Sequence, residues 1–229
     1  MSTVLLTGSS SGIGLATLTQ LLAAGHTVYG ISRSSAACKH ENFHEILCDL
    51  DDLPALQQIL QGFKTQRISF DLIIHNAGCG YYGLCENLSS KQIHELITTN
   101  LEVPMLITSQ FLRSMKEQGG GTLVFISSVT ANKSNPHGSV YGASKAGLSS
   151  FADSVFEEGR KHNIRVITIE PDLTASNLYR HADFGICPEE GCFLDPTEVA
   201  QTIMTCLQSP AGHMKILLQP QYHRIARKP

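Results

Sequence analysis

Val4-Leu5-Leu6-Thr7-Gly8-Ser9-Ser10-Ser11-Gly12-Ile13-Gly14 is a short apolar run that breaks into a turn of glycine and serine, and from Ile13 to Ala24 apolar residues recur at helical spacing. Strand, glycine turn and helix in this order make a specific physical device. Gly8, Gly12 and Gly14 let the backbone turn sharply and approach a ligand closely, while the unpaired N–H groups at the helix start and the positive end of its dipole attract negative charge. Ser9, Ser10 and Ser11 add hydroxyl donors. A glycine pattern alone is an ordinary turn; set after a first strand and at the head of a first helix, it predicts a loop for a dinucleotide's pyrophosphate.

The alternation continues along the chain. Apolar runs at Val4 to Thr7, Val28 to Ser32, Glu45 to Cys48, Leu72 to His75, Thr122 to Ser127, Val166 to Glu170 and Lys215 to Leu218 predict seven strands. Helices are expected over Ile13 to Ala24, Pro54 to Gln61, Ser89 to Glu117, Tyr141 to His162 and Thr197 to Gln208, the last with Asp195 as cap, Pro196 at the first position and Glu198 three residues after the cap. The strand runs are nearly continuous in Val, Ile, Leu and Phe, as in a sheet covered by helices on both faces. The prediction is an α/β, doubly wound, seven-stranded parallel sheet in one domain spanning residues 1–229. Connections are short except at 177–194, read as a substrate loop. Residues 219–229 read as a C-terminal tail whose Arg224, Arg227 and Lys228 are cationic and solvated.

Composition narrows the function classes. Apolar residues make up 42% of the chain and charged residues 16%, a globular balance far from that of a disordered chain. A net charge of -3 offers no basic field for nucleic acid. No apolar stretch approaches the roughly 20 residues of a membrane helix, and no leader precedes the first strand, so a soluble cytoplasmic protein is expected. The cysteine count is 7, odd and without a C-x-x-C pair, which predicts free thiols and no zinc site.

The second strand ends at Ile31-Ser32-Arg33-Ser34. An acidic residue there would grip a ribose 2′-hydroxyl; Arg33 instead can fork onto a 2′-phosphate, with Ser32 or Ser34 adding a hydrogen bond, which predicts NADP(H) over NAD(H). Asp49 and Leu50, after the third strand, are candidates to border the adenine.

A second constellation lies further on. Tyr141-Gly142-Ala143-Ser144-Lys145 sets a phenol and an ammonium one helical turn apart. A cation about 5 Å away would lower the phenol pKa by about two units, so Lys145 is expected to activate Tyr141. Ser127-Ser128 ends the strand Thr122 to Ile126, and Asn76-Ala77-Gly78 ends the fourth strand at the same edge, where open α/β sheets bind ligands. Either serine could face the crevice. Asn100 interrupts an apolar helical segment, where a buried amide needs a partner.

Together these motifs resemble the short-chain dehydrogenase/reductase family, with its Rossmann-like fold, from Thr3 to about Leu218. Thr7-Gly8-x-x-x-Gly12-x-Gly14 is similar to the family's cofactor loop, Asn76-Ala77-Gly78 to its N-A-G, and Tyr141-x-x-x-Lys145 to its catalytic pair. The resemblance selects Ser128 as the catalytic serine and matches Asn100 to the active-site asparagine. It implies that Ser128 polarises a carbonyl, Tyr141 gives it a proton, Lys145 holds the nicotinamide ribose, and Asn100 positions a proton-relaying water, with no metal. It also implies pairing of subunits through the two long helices, as a homodimer or homotetramer.

Two departures accompany the resemblance. The family's Pro-Gly after the sixth strand is here Pro171-Asp172, with Thr174 and Ser176 as candidates to reach a carboxamide. Asp172 reads either as an outward turn residue or as an inward carboxylate favouring an oxidised cofactor. The family's Gly-rich ending is replaced by Gln219-Pro220-Gln221 and the tail. Two other functions compete: a cofactor-binding regulator without turnover, whose usual mark of a lost Tyr or Lys is missing, and an epimerase or dehydratase, which usually has a larger substrate domain. Tyr81, Tyr82, His137, His181, Phe184 and Phe193 are candidates to line the substrate pocket.

Overall fold

In the computed structural model, residues 1–227 are described. Seven strands form one sheet: β1 (Thr3–Thr7), β2 (Thr27–Ser32), β3 (Phe43–Leu47), β4 (Leu72–His75), β5 (Gly121–Ile126), β6 (Ile164–Pro171) and β8 (His213–Leu218), in the order β3-β2-β1-β4-β5-β6-β8. Every pairing within it is parallel. The order reverses between β1 and β4, so the chain leaves these two strands toward opposite sides and opens a crevice at their carboxyl ends.

Strand side chains alternate between two cores. Leu5, Ile73, Leu123 and Val166 point to one face, where α2 (Leu53–Thr65), α4 (Val103–Glu117) and α5 (Ser139–Gly159) cover them with Phe63, Phe111 and Leu148. Val4, Leu6, Ile74 and Ile167 point to the other, against Leu18 and Leu21 of α1 (Gly12–Ala23) and Val199 and Ile203 of α6 (Pro196–Gln208). Burial on both faces is why the strands read as continuous apolar runs. The start of α6 is the capping box its sequence suggests, with Asp195 accepting from Thr197 and Glu198 reaching back to the Asp195 N–H.

The structure departs from the sequence reading in three places. The helix expected over Ser89 to Glu117 is α3 (Ser90–Ile97), capped by Ser89, then a π-turn (Thr98–Glu102), then α4. The substrate loop is not free of regular structure, since β7 (Phe184–Ile186) lies within it. The tail, expected to be solvated, supplies β9 (Ile225–Arg227), which pairs antiparallel with β7. Strands of three residues carry too little periodicity to be seen in sequence. Lys228 lies outside the described residues.

Candidate active site

The carboxyl ends of β1, β2, β4, β5 and β6 border one cleft of about 920 Å³. Its floor is the glycine loop. Gly8 and Gly12 adopt φ of +73° and +52°, open to glycine at little cost. A Cβ on Gly14 would stand 1.9 Å from the Gly8 carbonyl oxygen, so the loop and the first turn of α1 touch backbone to backbone. Ser11 caps α1 in extended conformation without a side-chain cap bond, which leaves first-turn N–H groups for a ligand. Asn76 ties β4 to this loop, its Nδ2 donating to Thr7 O at 3.0 Å and Gly8 O at 3.1 Å.

Gly8, Ser10, Ser11, Gly12, Ile13, Gly14, Ser32, Arg33, Ser34, Asp49, Leu50, Asn76, Ala77 and Gly78 line the cleft, as do Pro171, Asp172, Thr174 and Ser176. Ser9 does not: it is fully buried, and its hydroxyl meets Ser32 Oγ at 3.4 Å, so any gift from this residue to a ligand is its backbone N–H. Arg33 stands exposed at the rim, beside the Ser34–Ser10 hydroxyl pair at 3.1 Å.

At the reacting end, β5 and α5 bring Ser128, Tyr141 and Lys145 to the cleft. The adjacent Ser127 spends its hydroxyl on Lys145 O (3.0 Å) and Ser149 (2.8 Å), while Ser128 and Tyr82 both hydrogen-bond Tyr141. Behind this array Glu170 is buried and holds Ser149 at 3.1 Å and Asn132 at 2.8 Å. That carboxylate escapes sequence reasoning because a glutamate at a strand's end reads as an ordinary boundary residue.

The Tyr141 phenol, expected to be lowered by Lys145, is raised in this geometry. Burial pushes the Tyr141 phenol up to about 12, against the lowering effect of Ser128 and Tyr82. Lys145 Nζ stands 5.9 Å from the ring centroid and donates instead to Ile126 O at 2.9 Å; burial draws its pKa down to about 8. For both groups lost solvation is the largest cause of the shift. Asn100 lies beneath the cleft, not in its lining: Oδ1 accepts from Cys79 N (2.9 Å), and both Nδ2 hydrogens are used, on Cys79 O (3.0 Å) and Ser144 Oγ (3.1 Å). Its side chain has no donor left for a relayed water.

Of the substrate-pocket candidates, Tyr82, His137 and Phe184 line the cleft. Tyr81 and His181 stack on each other at 5.2 Å outside it, and Phe193 is also absent from the lining. Sequence reasoning missed Tyr179, His223 and Ile225, which do line it. Tyr82, Tyr179 and Phe184 form an aromatic cluster with centroid separations of 5.2–5.8 Å, and Tyr82 lies 5.3 Å from Tyr141. His75, buried and stacked on Phe125, bonds Thr108 at 3.0 Å; burial lowers its pKa to about 3, so it is a neutral structural residue.

Among the described residues no helix is long and apolar enough to cross a membrane. The family profile described as short chain dehydrogenase matches residues 2–183. The chain is 32% identical over 226 residues to carbonyl reductase family member 4 of Xenopus tropicalis, covering 92% of this chain and 93% of that protein. It is 28% identical over 180 residues to the 3-oxoacyl-[acyl-carrier-protein] reductase MabA of Mycobacterium bovis, covering 79% and 72%. Its fold is similar to that of an alcohol dehydrogenase from Thermococcus sibiricus complexed with 5-hydroxy-NADP, at a TM-score of 0.85, 23% identity and 98% coverage of both chains. Seven parallel strands in this order agree with these matches: the chain belongs to the short-chain dehydrogenase/reductase family.

Proposed function

We propose that this protein is an NADP(H)-dependent oxidoreductase that moves hydride between the nicotinamide and a small-molecule carbonyl or alcohol, with Tyr141 as the acid/base. The observation that carries this reading is one cleft holding both the phosphate-accepting loop and the Ser128–Tyr141–Lys145 array. The residues fit a dinucleotide: the Gly8–Gly14 cradle closes if a Cβ is added at Gly14, and Arg33 at the rim suits a 2′-phosphate. The cofactor, when bound, supplies or accepts the hydride.

The protein's own groups account for the proton. Ser128 hydrogen-bonds the carbonyl oxygen and polarises it; Tyr141, held protonated at neutral pH by its raised pKa, donates its proton to that oxygen as negative charge develops. Lys145, buried within reach of the cleft, stabilises the phenolate left behind and holds the ribose hydroxyls. Subunit pairing through α4 and α5, giving a homodimer or homotetramer, belongs to the same reading, as does a cytoplasmic location.

The test is parallel titration of the protein with NADPH and NADH, repeated on Arg33→Ala, followed by a screen of carbonyl substrates with Tyr141→Phe as control. NADPH preference lost with Arg33, and turnover lost with Tyr141, support the proposal. Tight NADH binding indifferent to Arg33 overturns the cofactor assignment. Binding without turnover of any carbonyl or alcohol favours a cofactor-binding regulator.

A further inference from the structure

Asp172 stands where the family's pattern has glycine, and its carboxylate makes contacts glycine lacks. The side chain is only 7% exposed. Oδ1 accepts from Leu173 N at 2.9 Å, whereas Oδ2 accepts from Gln219 Nε2 at 3.3 Å and faces His223 Nδ1 at 3.3 Å. Gln219 and His223 belong to the segment that follows β8, so the turn after β6 is fastened to the tail.

Three further links continue from there onto the substrate loop. Tyr222 N donates to Gly191 O at 2.8 Å, and the Tyr222 ring lies so close that a Cβ on Gly191, itself at φ +78°, would come within 3.3 Å of it. Arg224 Nη1 meets Glu189 Oε2 at 2.7 Å. The backbones of β7 and β9 pair from Phe184↔Arg227 to Ile186↔Ile225. A two-stranded ribbon this short is not stable by itself, and exposed ion pairs add little, so its seating leans on the Asp172 carboxylate, which is buried while its partners Gln219 and His223 stay exposed to solvent. The segment so held sends His223 and Ile225 into the lining of the cleft, where Tyr82, Tyr179 and Phe184 already supply apolar surface.

We propose that residues 219–227 form a strap that walls the substrate end of the cleft, with His223 and Ile225 determining specificity for carbonyl compounds with an apolar body, and Asp172 as the positioning residue that seats the strap. This rests on the oxidoreductase reading above for its substrate, but not for its mechanics. Its first test therefore needs no turnover. Hydrogen exchange of the full chain, followed by mass spectrometry, is compared for the natural protein, Asp172→Gly, His223→Ala and the double variant. Amides of β7 exchange roughly tenfold faster in each single variant, with global melting unchanged, and the double variant adds little because both break one link. Unchanged exchange, or full additivity in the double variant, overturns the strap.

The second test measures KM over aliphatic and aromatic aldehydes and ketones for His223→Ala and Ile225→Ala. The expected result is KM raised several-fold for the apolar carbonyls, with NADPH affinity unaltered. Equal KM values across the panel overturn the specificity role. A natural protein that turns over no carbonyl or alcohol sinks the oxidoreductase reading and this role with it, while the exchange rates still decide the strap.

Discussion

Replacing Lys145 with methionine is expected to stabilise the protein relative to the natural chain at neutral pH while abolishing turnover. Lys145 is 4% exposed, and burial lowers its pKa from 10.5 to about 8. The folded-state pKa lies below the unfolded one, so between those values the unfolded chain binds more protons and stability rises with pH; at neutral pH the buried ammonium costs about 3 kcal/mol. Methionine has similar length and no charge to desolvate, but it leaves Ile126 O without its 2.9 Å donor, an offset of about 1 kcal/mol that does not change with pH. Guanidinium unfolding of both proteins, followed by circular dichroism, isolates the effect, since the other titrating groups are common to both. The variant should be the more stable by about 2 kcal/mol near pH 7, and the natural protein should gain about 2.5 kcal/mol on it by about pH 10. A difference that stays constant over that range would refute the desolvated-cation account of Lys145.

Gly14→Ala drives a Cβ to 1.9 Å from Gly8 O and 2.4 Å from Asn76 Nδ2; dinucleotide binding should vanish in a titration, and stability should fall by about 3 kcal/mol. The two serines at the end of β5 should separate. Ser128→Ala lowers kcat about 100-fold and, by losing its cap bonds from Thr130 N and Oγ1, costs about 1 kcal/mol, whereas Ser127→Ala loses the bonds to Lys145 O and Ser149 and costs about 1–2 kcal/mol, read by denaturation, with a much smaller kinetic effect. Arg165 gathers the carbonyls of Cys206, Leu207, Ser209 and Ala211 at 2.6–3.3 Å, where α6 ends; Arg165→Ala should cost about 2–4 kcal/mol in urea unfolding while leaving NADPH affinity intact.

The parts of this protein legible in its sequence are those where one residue type meets a strong local demand. All seven runs coincide with strands of the sheet, most cleanly for β1, β4 and β5, whose burial on both faces demands apolar residues, whereas the edge strands β3 and β8 are only part-buried. The glycine loop is legible because its first glycine needs positive φ and its last has no room for a Cβ. What stayed hidden depends on contacts distant in sequence. The Ser9 hydroxyl is buried through a neighbour 23 residues away, and no local pattern separates it from Ser10 or Ser11. The Tyr141–Lys145 spacing suggests an ion–phenol pair in a uniform dielectric, but desolvation is the largest influence on each group. His223 and Ile225 reach the cleft only because of pairing across some 40 residues between two strands too short to leave a signal.

Asn100 shows how one buried amide can set both the helix and the site. An uninterrupted α-helix would satisfy its backbone internally; the π-turn at Thr98–Glu102 accommodates one extra residue per turn and shifts the face that α4 then presents. At that turn the fully buried Asn100 side chain pairs with both backbone groups of Cys79 and with Ser144, the residue before Lys145. A Cβ on Gly78 would come within 3.3 Å of Asn100 Oδ1 and 3.5 Å of Lys145 Nζ, so the same amide fixes the strand-end loop that passes over the ammonium. Asn100→Ala would orphan the Cys79 N–H and C=O in a buried setting, a loss of about 3 kcal/mol, and would free the loop from the Lys145 side of the cleft. Asn100→Asp keeps the acceptor for Cys79 N but sets a carboxylate oxygen against Cys79 O in a fully buried position, so it should be at least as destabilising as Asn100→Ala. Equal melting of Asn100→Ala and the natural protein, measured by calorimetry, would mean that the amide does not hold this junction, and the π-turn would need another cause.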